Sequence, residues 1–291
     1  MKKIIYGHFR AELLLAFVIL ARSISYVMTK IGLQDMGTFT LLGFRFLTAF
    51  LFLLPFGWKR LQKITVPTLI RGLLLGTSFF AIMAAEVSAL KTTNASTASF
   101  LENTAIIFVP LFEVVIRKKC PRIPVMISTI LSLCGVALLT LKKGNFSLTG
   151  GEILCLTAAV LYACSIILTD RISKQDDPLT LGILQVGFMG VYSMISAFLF
   201  ETPHMPNDTS AWGAILILAI VCSGFGFTLQ PLAQSKTTSE RTGLFCALGT
   251  VGAAVSGALI LNEQLGLLGL CGMGLVLFAM AFSNMYDRVL H

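Results

Sequence analysis

Charged residues are scarce in this chain, at 12% of its 291 positions. An average soluble domain carries about 25%. Hydrophobic residues make up 56% of the sequence, so the polar residues are too few to cover the surface of a soluble protein of this length. This scarcity excludes a large soluble domain and predicts an integral membrane protein.

Sequence signatures of soluble chemistry are also missing. There is no Walker motif, which argues against ATP hydrolysis. The seven cysteines include no CxxC pair, and their odd number predicts no disulfide or zinc framework. His8, His204 and His291 lie at the ends of the chain or in loops, and no His/Asp/Glu cluster has metal-ligand spacing. We therefore expect no enzyme, no metal site and no cofactor.

Apolar runs long enough for transmembrane helices, about 20 residues each, fill most of the chain. Ten can be drawn, at approximately 11–31, 38–57, 67–89, 93–116, 122–141, 149–172, 179–200, 209–234, 238–261 and 264–286. They are too long and too continuously apolar for the strands of a β-barrel. The connections are too short for a soluble domain. We predict an all-α integral membrane protein with ten transmembrane helices in a single membrane domain over residues 1–291.

The basic residues, which give a formal net charge of +8, cluster at the ends of the apolar runs. With the N-terminus in the cytoplasm, most of them fall in the inner connections, as Arg117-Lys118-Lys119 does. We therefore predict that both termini are cytoplasmic and that the protein lies in the cell inner membrane. No basic face with interleaved aromatic residues is present, so nucleic acid is not an expected partner.

The sequence matches itself weakly at a separation near 140–145 residues. The matching segments are Glu12 with Glu152, Ser25 with Ser165, Thr29 with Thr169, and Lys91-Thr92-Thr93 with Lys236-Thr237-Thr238. Each half contains five apolar runs, an odd number, so the second copy starts from the opposite side of the membrane. The sequence predicts two inverted five-helix repeats, 1–145 and 146–291, as in many secondary transporters. A duplicated membrane protein that does not transport is the alternative.

Short motifs in both halves carry a family resemblance. They are Gly43-Phe44-Arg45-Phe46, Asn94-Ala95-Ser96, Pro110, Gly135-Val136 and Leu261-Asn262-Glu263. On these motifs the sequence resembles the drug/metabolite transporter superfamily, in its ten-span EamA-like branch. The resemblance implies alternating access through a central cavity, bounded by helices one, three, four, six, eight and nine.

Two ionisable residues lie deep inside apolar runs, where a charge costs about 2.5–3.5 kcal/mol on insertion scales. Glu102 is about nine residues into the fourth run, near the midplane, and Arg22 is about midway along the first. Glu102 either binds a cationic group or a proton, or forms a structural ion pair with Arg22 or Arg45. Arg22 either clamps a substrate carboxylate or phosphate, or pairs with Glu102.

Other polar residues inside the runs are assigned by position. The residues predicted to bind substrate are Glu102, Arg22, Asn103, Tyr26, Tyr162, Gln230 and Phe225. Tyr162 corresponds to Arg22 in the repeat, so both are expected to face the pseudo-symmetric centre. Arg45, Glu86 and Gln185 are predicted to be gating or structural. Glu86 lies near the outer end of the third run, where we expect either an interfacial acid within reach of the headgroups or a gate.

Together, Glu102 and Arg22 would suit a zwitterion, with its ammonium toward Glu102 and its carboxylate toward Arg22. The leading hypothesis is therefore a secondary transporter of amino acids or amino-acid-like metabolites, S-adenosylmethionine included. One alternative is a proton-coupled exporter of cationic drugs or amines. A second is a non-transporting scaffold or a membrane-embedded enzyme. The expected partners are a small-molecule substrate and the lipid bilayer, with the protein as monomer or homodimer.

Overall fold

The computed structural model describes residues 2–93, 95–118, 123–140, 150–260 and 267–289. Over these residues the secondary structure is helical throughout, joined by short turns. The helices are α1 (Lys2–Ser23), α2 (Ser25–Gly32), α3 (Thr38–Leu61), α4 (Val66–Ala89), α5 (Ala95–Asn103), α6 (Ala105–Arg117), α7 (Ile123–Thr140), α8 (Gly150–Ile172), α9 (Pro178–Phe200), α10 (Thr209–Ile217), a π-helical segment (Leu218–Phe227), α11 (Thr228–Gln234), α12 (Ser239–Ile260) and α13 (Leu267–Val289).

Seven stretches of the described chain are long and apolar enough to cross a membrane. They are Ala11–Gly32, Thr38–Leu61, Val66–Ala89, Gly150–Ile172, Pro178–Phe200, Thr209–Gln234 and Ser239–Ile260. These correspond to seven of the ten predicted runs. The other three runs largely coincide with α5 and α6 together, with α7 and with α13. The prediction of an all-helical, multi-pass membrane protein is confirmed.

The surface and the interior have the polarity expected in a bilayer. Large apolar side chains point outward, with Phe56 74% exposed and Phe198 71% exposed. Such a surface would aggregate in water but is stable against lipid tails. Several ionisable side chains are instead buried within the bundle, among them Arg45, Glu86 and Glu102. Polar groups at membrane depth normally face a bundle interior or a wet cavity.

Aromatic rings form the centre of the hydrophobic core. Phe227 makes edge-to-face contacts with Phe46, at 5.6 Å between ring centroids, and with Phe79, at 5.5 Å. These three rings join the π-helical segment to α3 and α4, and all three are fully buried. The contact geometry is the one that aromatic pairs favour. The guanidinium groups of Arg22 and Arg45 lie against these rings, at 3.9 Å from the centre of Phe227 and 4.9 Å from that of Phe46.

Helices α3 and α9 run antiparallel and are tied at both ends. At the start of α9, Asp177 accepts hydrogen bonds from Thr180 and, at 2.7 Å, from Arg60 near the end of α3. At the other end, the Glu201 carboxylate accepts from the backbone N–H of Thr40 at 2.9 Å, which satisfies a free donor at the start of α3. These ties fix the register of the two helices.

Two of the membrane helices are interrupted, each at a hydroxyl residue. The Ser23 hydroxyl donates to the Leu20 carbonyl at 2.6 Å where α1 gives way to α2. The Thr104 hydroxyl donates to the Leu101 carbonyl at 2.5 Å where α5 gives way to α6. Such bonds compete with the helical ladder and bend it. Both breaks lie beside predicted site residues.

The third irregular helix is the one that contains the π-helical segment Leu218–Phe227. Pro231 follows it, inside α11. Proline has no N–H to donate to the carbonyl four residues earlier, so the regular ladder cannot continue through Phe227. Widened turns of this kind occur often at functional sites. The widened turn changes which side chains face the bundle.

Candidate functional site

A central cavity lies where the interrupted helices meet. It is lined by residues of α1, α2, α3, α4, α5, α8, the π-helical segment and α12. Its charged lining consists of Arg22, Arg45, Glu86 and Glu102. Four ionisable groups from four helices thus share one space inside an otherwise apolar bundle.

Glu102, on α5, is 5% exposed and lines this cavity. The hydroxyl of Tyr26 donates to its Oε2 atom at 2.5 Å. This bond satisfies one acceptor position of the buried carboxyl group. The break after Asn103 ends α5 directly behind the carboxyl group, so Glu102 is held on the last turn of a short helix.

Glu86 is buried, which corrects the expectation of an interfacial acid within reach of the headgroups. Its side chain is 4% exposed and lines the cavity together with that of Glu102. Glu86 is buried because α8 packs against α4 and covers this end of it. A Cβ atom added to Gly151 at the start of α8 would run into Thr92 and Thr93, which shows how tightly α8 packs there.

The two carboxyl groups line the same cavity, with Glu86 on α4 and Glu102 on α5. Two carboxylates that share a buried site disfavour each other's ionisation. Glu86 and Glu102 are therefore best treated as one acidic unit.

Arg22 extends from the last turn of α1 across the cavity. Its Nη1 atom donates to Gln230 Oε1 at 2.5 Å and to the Tyr162 hydroxyl at 3.3 Å. The guanidinium carbon lies 3.9 Å from the centre of the Phe227 ring, in cation–π contact. The expectation that Arg22 and Tyr162 face the same centre agrees with this direct contact.

A glycine makes room for Arg22. A Cβ atom at Gly226 would meet the Cγ and Cδ atoms of Arg22. The absence of a side chain there lets the arginine stem lie flat against the π-helical segment. Any larger residue would displace the guanidinium from the Phe227 ring.

Arg45, on α3, is 1% exposed and braces neighbouring helices. Its Nε atom donates to the Ser223 hydroxyl at 2.8 Å, and its Nη1 atom to the Ser25 hydroxyl at 3.0 Å. These bonds connect α3 to the π-helical segment and to α2. These contacts fit the structural alternative of the prediction for Arg45, and the side chain also contributes a positive charge to the cavity wall.

Opposite charges share the cavity without direct pairing. Among the described ion pairs, none joins Arg22 or Arg45 to Glu86 or Glu102. The two arginines are bonded instead to neutral amide, hydroxyl and aromatic groups. The structural ion pair considered for Glu102 is therefore absent, and both signs of charge remain available to a bound molecule.

The structure gathers most of the predicted binding residues. Asn103 lines the cavity, with its side-chain amide donating to the Ser99 carbonyl at 2.7 Å. Phe225 does not line it, because its ring is 47% exposed on the outside of the bundle and packs against Phe52. Gln185 is fully buried in α9, but it does not line the cavity either.

Phe227 is the cavity residue that the binding prediction omits in favour of Phe225. Both rings stand in the same Gly-Phe-Gly-Phe stretch, two residues apart and so on opposite faces of an ordinary helix, and their spacing does not tell which of them faces inward. The π-helical backbone of this stretch determines which ring faces inward. The nearby Pro231 was the available sequence signal for an irregular helix.

No group of three His, Cys, Asp or Glu side chains suited to a metal ion occurs in the part of the chain that the structure describes. The cavity offers guanidinium, carboxyl, phenol and amide groups instead. These groups recognise charged organic molecules by hydrogen bonds and ion pairs.

Comparison with known proteins gives consistent matches along the whole chain. The model of the EamA-like transporter family matches twice, at residues 9–141 and 149–285. An uncharacterized transporter of Archaeoglobus fulgidus is 28% identical over 266 residues, covering 88% of this chain and 90% of the relative. Uncharacterized transporter YcxC of Bacillus subtilis is 26% identical, covering 94% and 91%.

A protein of known crystal structure superimposes with a TM-score of 0.80. The match covers 97% of this chain and 99% of the other at 17% sequence identity. At that identity the likeness extends to the fold.

Proposed function

The chain belongs to the EamA-like transporter family, within the drug/metabolite transporter superfamily, and we propose that it carries a small zwitterionic metabolite across the membrane. The proposed substrate class is amino acids and amino-acid-like molecules, S-adenosylmethionine included. Membrane transport follows from the family and from relatives described as transporters. The substrate class is our inference from the cavity.

The proposed architecture has ten spans in two inverted five-helix halves, 1–145 and 146–291. The double match of one family model supports two halves, and the odd number of runs in each half supports their inversion. The distribution of Lys and Arg supports cytoplasmic termini and insertion in the cell inner membrane. Transport then proceeds by alternating access, with the halves moving around a fixed central site.

One observation carries the proposed substrate class: unpaired charges of both signs line one cavity. Arg22 offers a guanidinium bonded only to neutral groups, and Glu102, with Glu86, offers carboxyl groups without a cationic partner. The carboxylate of a zwitterionic substrate can pair with Arg22, and its ammonium can pair with Glu102 and Glu86. Each hydrogen bond to a charged group contributes about 1.5–3 kcal/mol.

A carrier of cationic amines remains the second candidate, because two acids and three aromatic rings line the cavity. The two arginines argue against it, since they repel a cation that brings no carboxylate. A zwitterion can pair with the arginines and with the acids of the cavity, so neither kind of buried charge is left without a partner. Burying an uncompensated charge is costly, so the zwitterion is the better fit.

A panel of matched ligands tests the proposal. Each amino acid is compared with the amine that lacks its carboxylate and with the acid that lacks its ammonium. We expect at least one zwitterion to raise the thermal unfolding temperature of the purified protein and to bind roughly tenfold or more tighter than either analogue. A panel in which no zwitterion stabilises the protein would overturn the proposed substrate class, and preferred binding of amines would favour the second candidate.

A further inference from the structure

Arg45 supplies a second guanidinium group to the central cavity, more than a substrate with one carboxylate requires. Its side chain is 1% exposed and lines the cavity. The hydrogen bonds described for it go to the hydroxyl groups of Ser223 and Ser25, which carry no charge. Among the ion pairs of the described residues, none includes Arg45. In this part of the chain its positive charge is therefore buried without an anion, which is costly.

Arg45 and Arg22 lie around the same aromatic ring. The guanidinium carbon of Arg22 is 3.9 Å from the centre of the Phe227 ring, and that of Arg45 is 5.8 Å from it. The two guanidinium carbons are therefore no farther apart than the sum of these distances. A dicarboxylic amino acid, extended by a hydrogen bond of about 2.8 Å at each end, bridges a separation of this size.

The serine hydroxyl groups orient the Arg45 fork without using all of it. The bonds from Nε to Ser223 and from Nη1 to Ser25 take up two of the five N–H groups of a guanidinium. Arg22 is held in a similar way, by the side-chain amide of Gln230 and a phenol hydroxyl. Both forks are thus positioned by neutral groups and keep donors for a carboxylate, which arginine binds through parallel hydrogen bonds.

We propose that Arg45 binds substrate by recognising a second acidic group, so that the preferred substrates are amino acids with an acidic side chain. This inference rests on the proposed function. The α-carboxylate pairs with Arg22, the side-chain carboxylate pairs with Arg45, and the ammonium faces Glu102 and Glu86. An amino acid with a neutral side chain brings one carboxylate for two guanidinium groups and leaves one of them buried without an anion.

Ligands of nearly equal shape isolate the effect of the second acidic group. Aspartate differs from asparagine, and glutamate from glutamine, mainly in the charge of the side chain. In thermal unfolding titrations of the purified full-length protein, we expect at least one of these acids to bind roughly tenfold or more tighter than its amide. Equal binding of acids and amides, tighter binding of the amides, or binding of neither acid would overturn the proposal.

Arg45→Gln removes the charge and the fork but keeps a side chain that hydrogen-bonds. We expect the acid to bind this variant no tighter than its amide. The control is Arg71→Gln, which removes a cation that pairs with Asp176 outside the cavity and should leave the preference for the acid unchanged.

A purely structural Arg45 would give a different result in that variant. Loss of helix bracing would weaken binding of acid and amide by the same factor, so that the wild-type preference for the acid remains. A remaining preference of wild-type size would overturn the proposal. The comparison of ligands on the wild type needs no variant, so it decides the matter where Arg45→Gln does not fold.

Two further ligands separate this inference from the proposed function. Succinate and glutarate are the corresponding dicarboxylates without the ammonium. If they bind as tightly as aspartate and glutamate, the zwitterion is excluded and the site of two arginines remains. If asparagine or glutamine binds as tightly as its acid while succinate and glutarate bind weakly, the proposed function remains and recognition of a second acidic group is excluded.

Discussion

At the scale of single residues, the cavity depends on how Arg22 is held. Its guanidinium lies 3.9 Å from the centre of the Phe227 ring and donates to Gln230 and Tyr162. All three partners are neutral, so they orient the side chain while leaving its charge uncompensated. A planar, permanently charged fork held in this way is suited to binding a carboxylate.

Substitution of Gly226 tests this arrangement. Gly226→Ala places a methyl group against the Cγ and Cδ atoms of Arg22, which must move away from Phe227. We expect binding of a zwitterion to weaken by tenfold or more, with the overpacking costing about 1–3 kcal/mol of stability. Ligand titration followed by thermal unfolding measures both.

The control is Gly213→Ala in α10, where an added Cβ atom meets nothing within 4 Å. It should leave binding unchanged and, as a helical Gly-to-Ala change, stabilise slightly. Equal binding by both variants and the wild type would show that the position of Arg22 does not matter.

At the scale of helices, the interruptions coincide with the site. The α1–α2 break lies between Arg22 and Tyr26, and the α5–α6 break follows Glu102 directly. Transporters with discontinuous helices place their substrate sites at such breaks, where freed backbone groups line a cavity. Continuous helices such as α3 and α9 form the frame, and their ends are capped and tied.

The cap of α9 gives a prediction about pH. Partial burial would by itself raise the pKa of Asp177, but hydrogen bonds from Thr180 and Arg60 outweigh it and lower this pKa below its ordinary value of 3.8. A carboxyl group whose pKa is lower in the folded state stabilises that state above its unfolded pKa. The contribution is lost as the pH falls through the folded pKa.

We therefore expect Asp177→Ala to destabilise the protein by about 1 kcal/mol at neutral pH. The difference from wild type should shrink as the pH falls below 3.8. Unfolding in detergent over this pH range measures it. Asp177→Asn, which keeps a capping oxygen but no charge, should be milder and less dependent on pH. A difference that grows on acidification would contradict this account of the cap.

Sequence patterns predicted some of these elements and missed others for physical reasons. The thickness of a bilayer sets the length of an apolar run. The ends of α3, α4, α8 and α9 were therefore predicted within a few residues. The repeat register also anticipated the meeting of Arg22 and Tyr162. The burial of Glu86 was not predictable in the same way, because it depends on which chain covers the end of α4.

The inward turn of Phe227 was missed for a related reason. A π-helical turn shifts the helical register, and the spacing of residue types in the sequence does not reveal it. The nearby proline indicates an irregularity but not its form. Only the packed structure shows which of Phe225 and Phe227 faces inward.

At the scale of the whole molecule, cavity access depends on contacts between the helices that surround it. Arg241 at the start of α12 forms an ion pair with Glu12 of α1, and both helices line the cavity. Under the proposed topology this pair lies on the cytoplasmic side. Separation of α1 from α12 on that side would require the pair to break.

Cross-linking tests this movement. With the native cysteines replaced, Glu12→Cys and Arg241→Cys are joined by a short bifunctional methanethiosulfonate reagent, which spans the reach of the two long side chains that the cysteines replace. We expect this cross-link to stop exchange of a bound zwitterion in proteoliposomes and a reductant, which cleaves it, to restore exchange. Either single cysteine variant, which cannot cross-link these positions, is the control. Undiminished exchange by a fully cross-linked protein would show that α1 and α12 need not separate here.

The most direct test of the central claim measures ligand binding by Arg22→Gln, Glu102→Gln and the wild type, using a zwitterion and the amine that lacks its carboxylate. We expect Arg22→Gln to weaken binding of the zwitterion by about 1.5–3 kcal/mol without weakening that of the amine. We expect Glu102→Gln to weaken binding of both. Binding of the zwitterion that is unaffected by Arg22→Gln, or an equal loss for zwitterion and amine in that variant, would contradict the account.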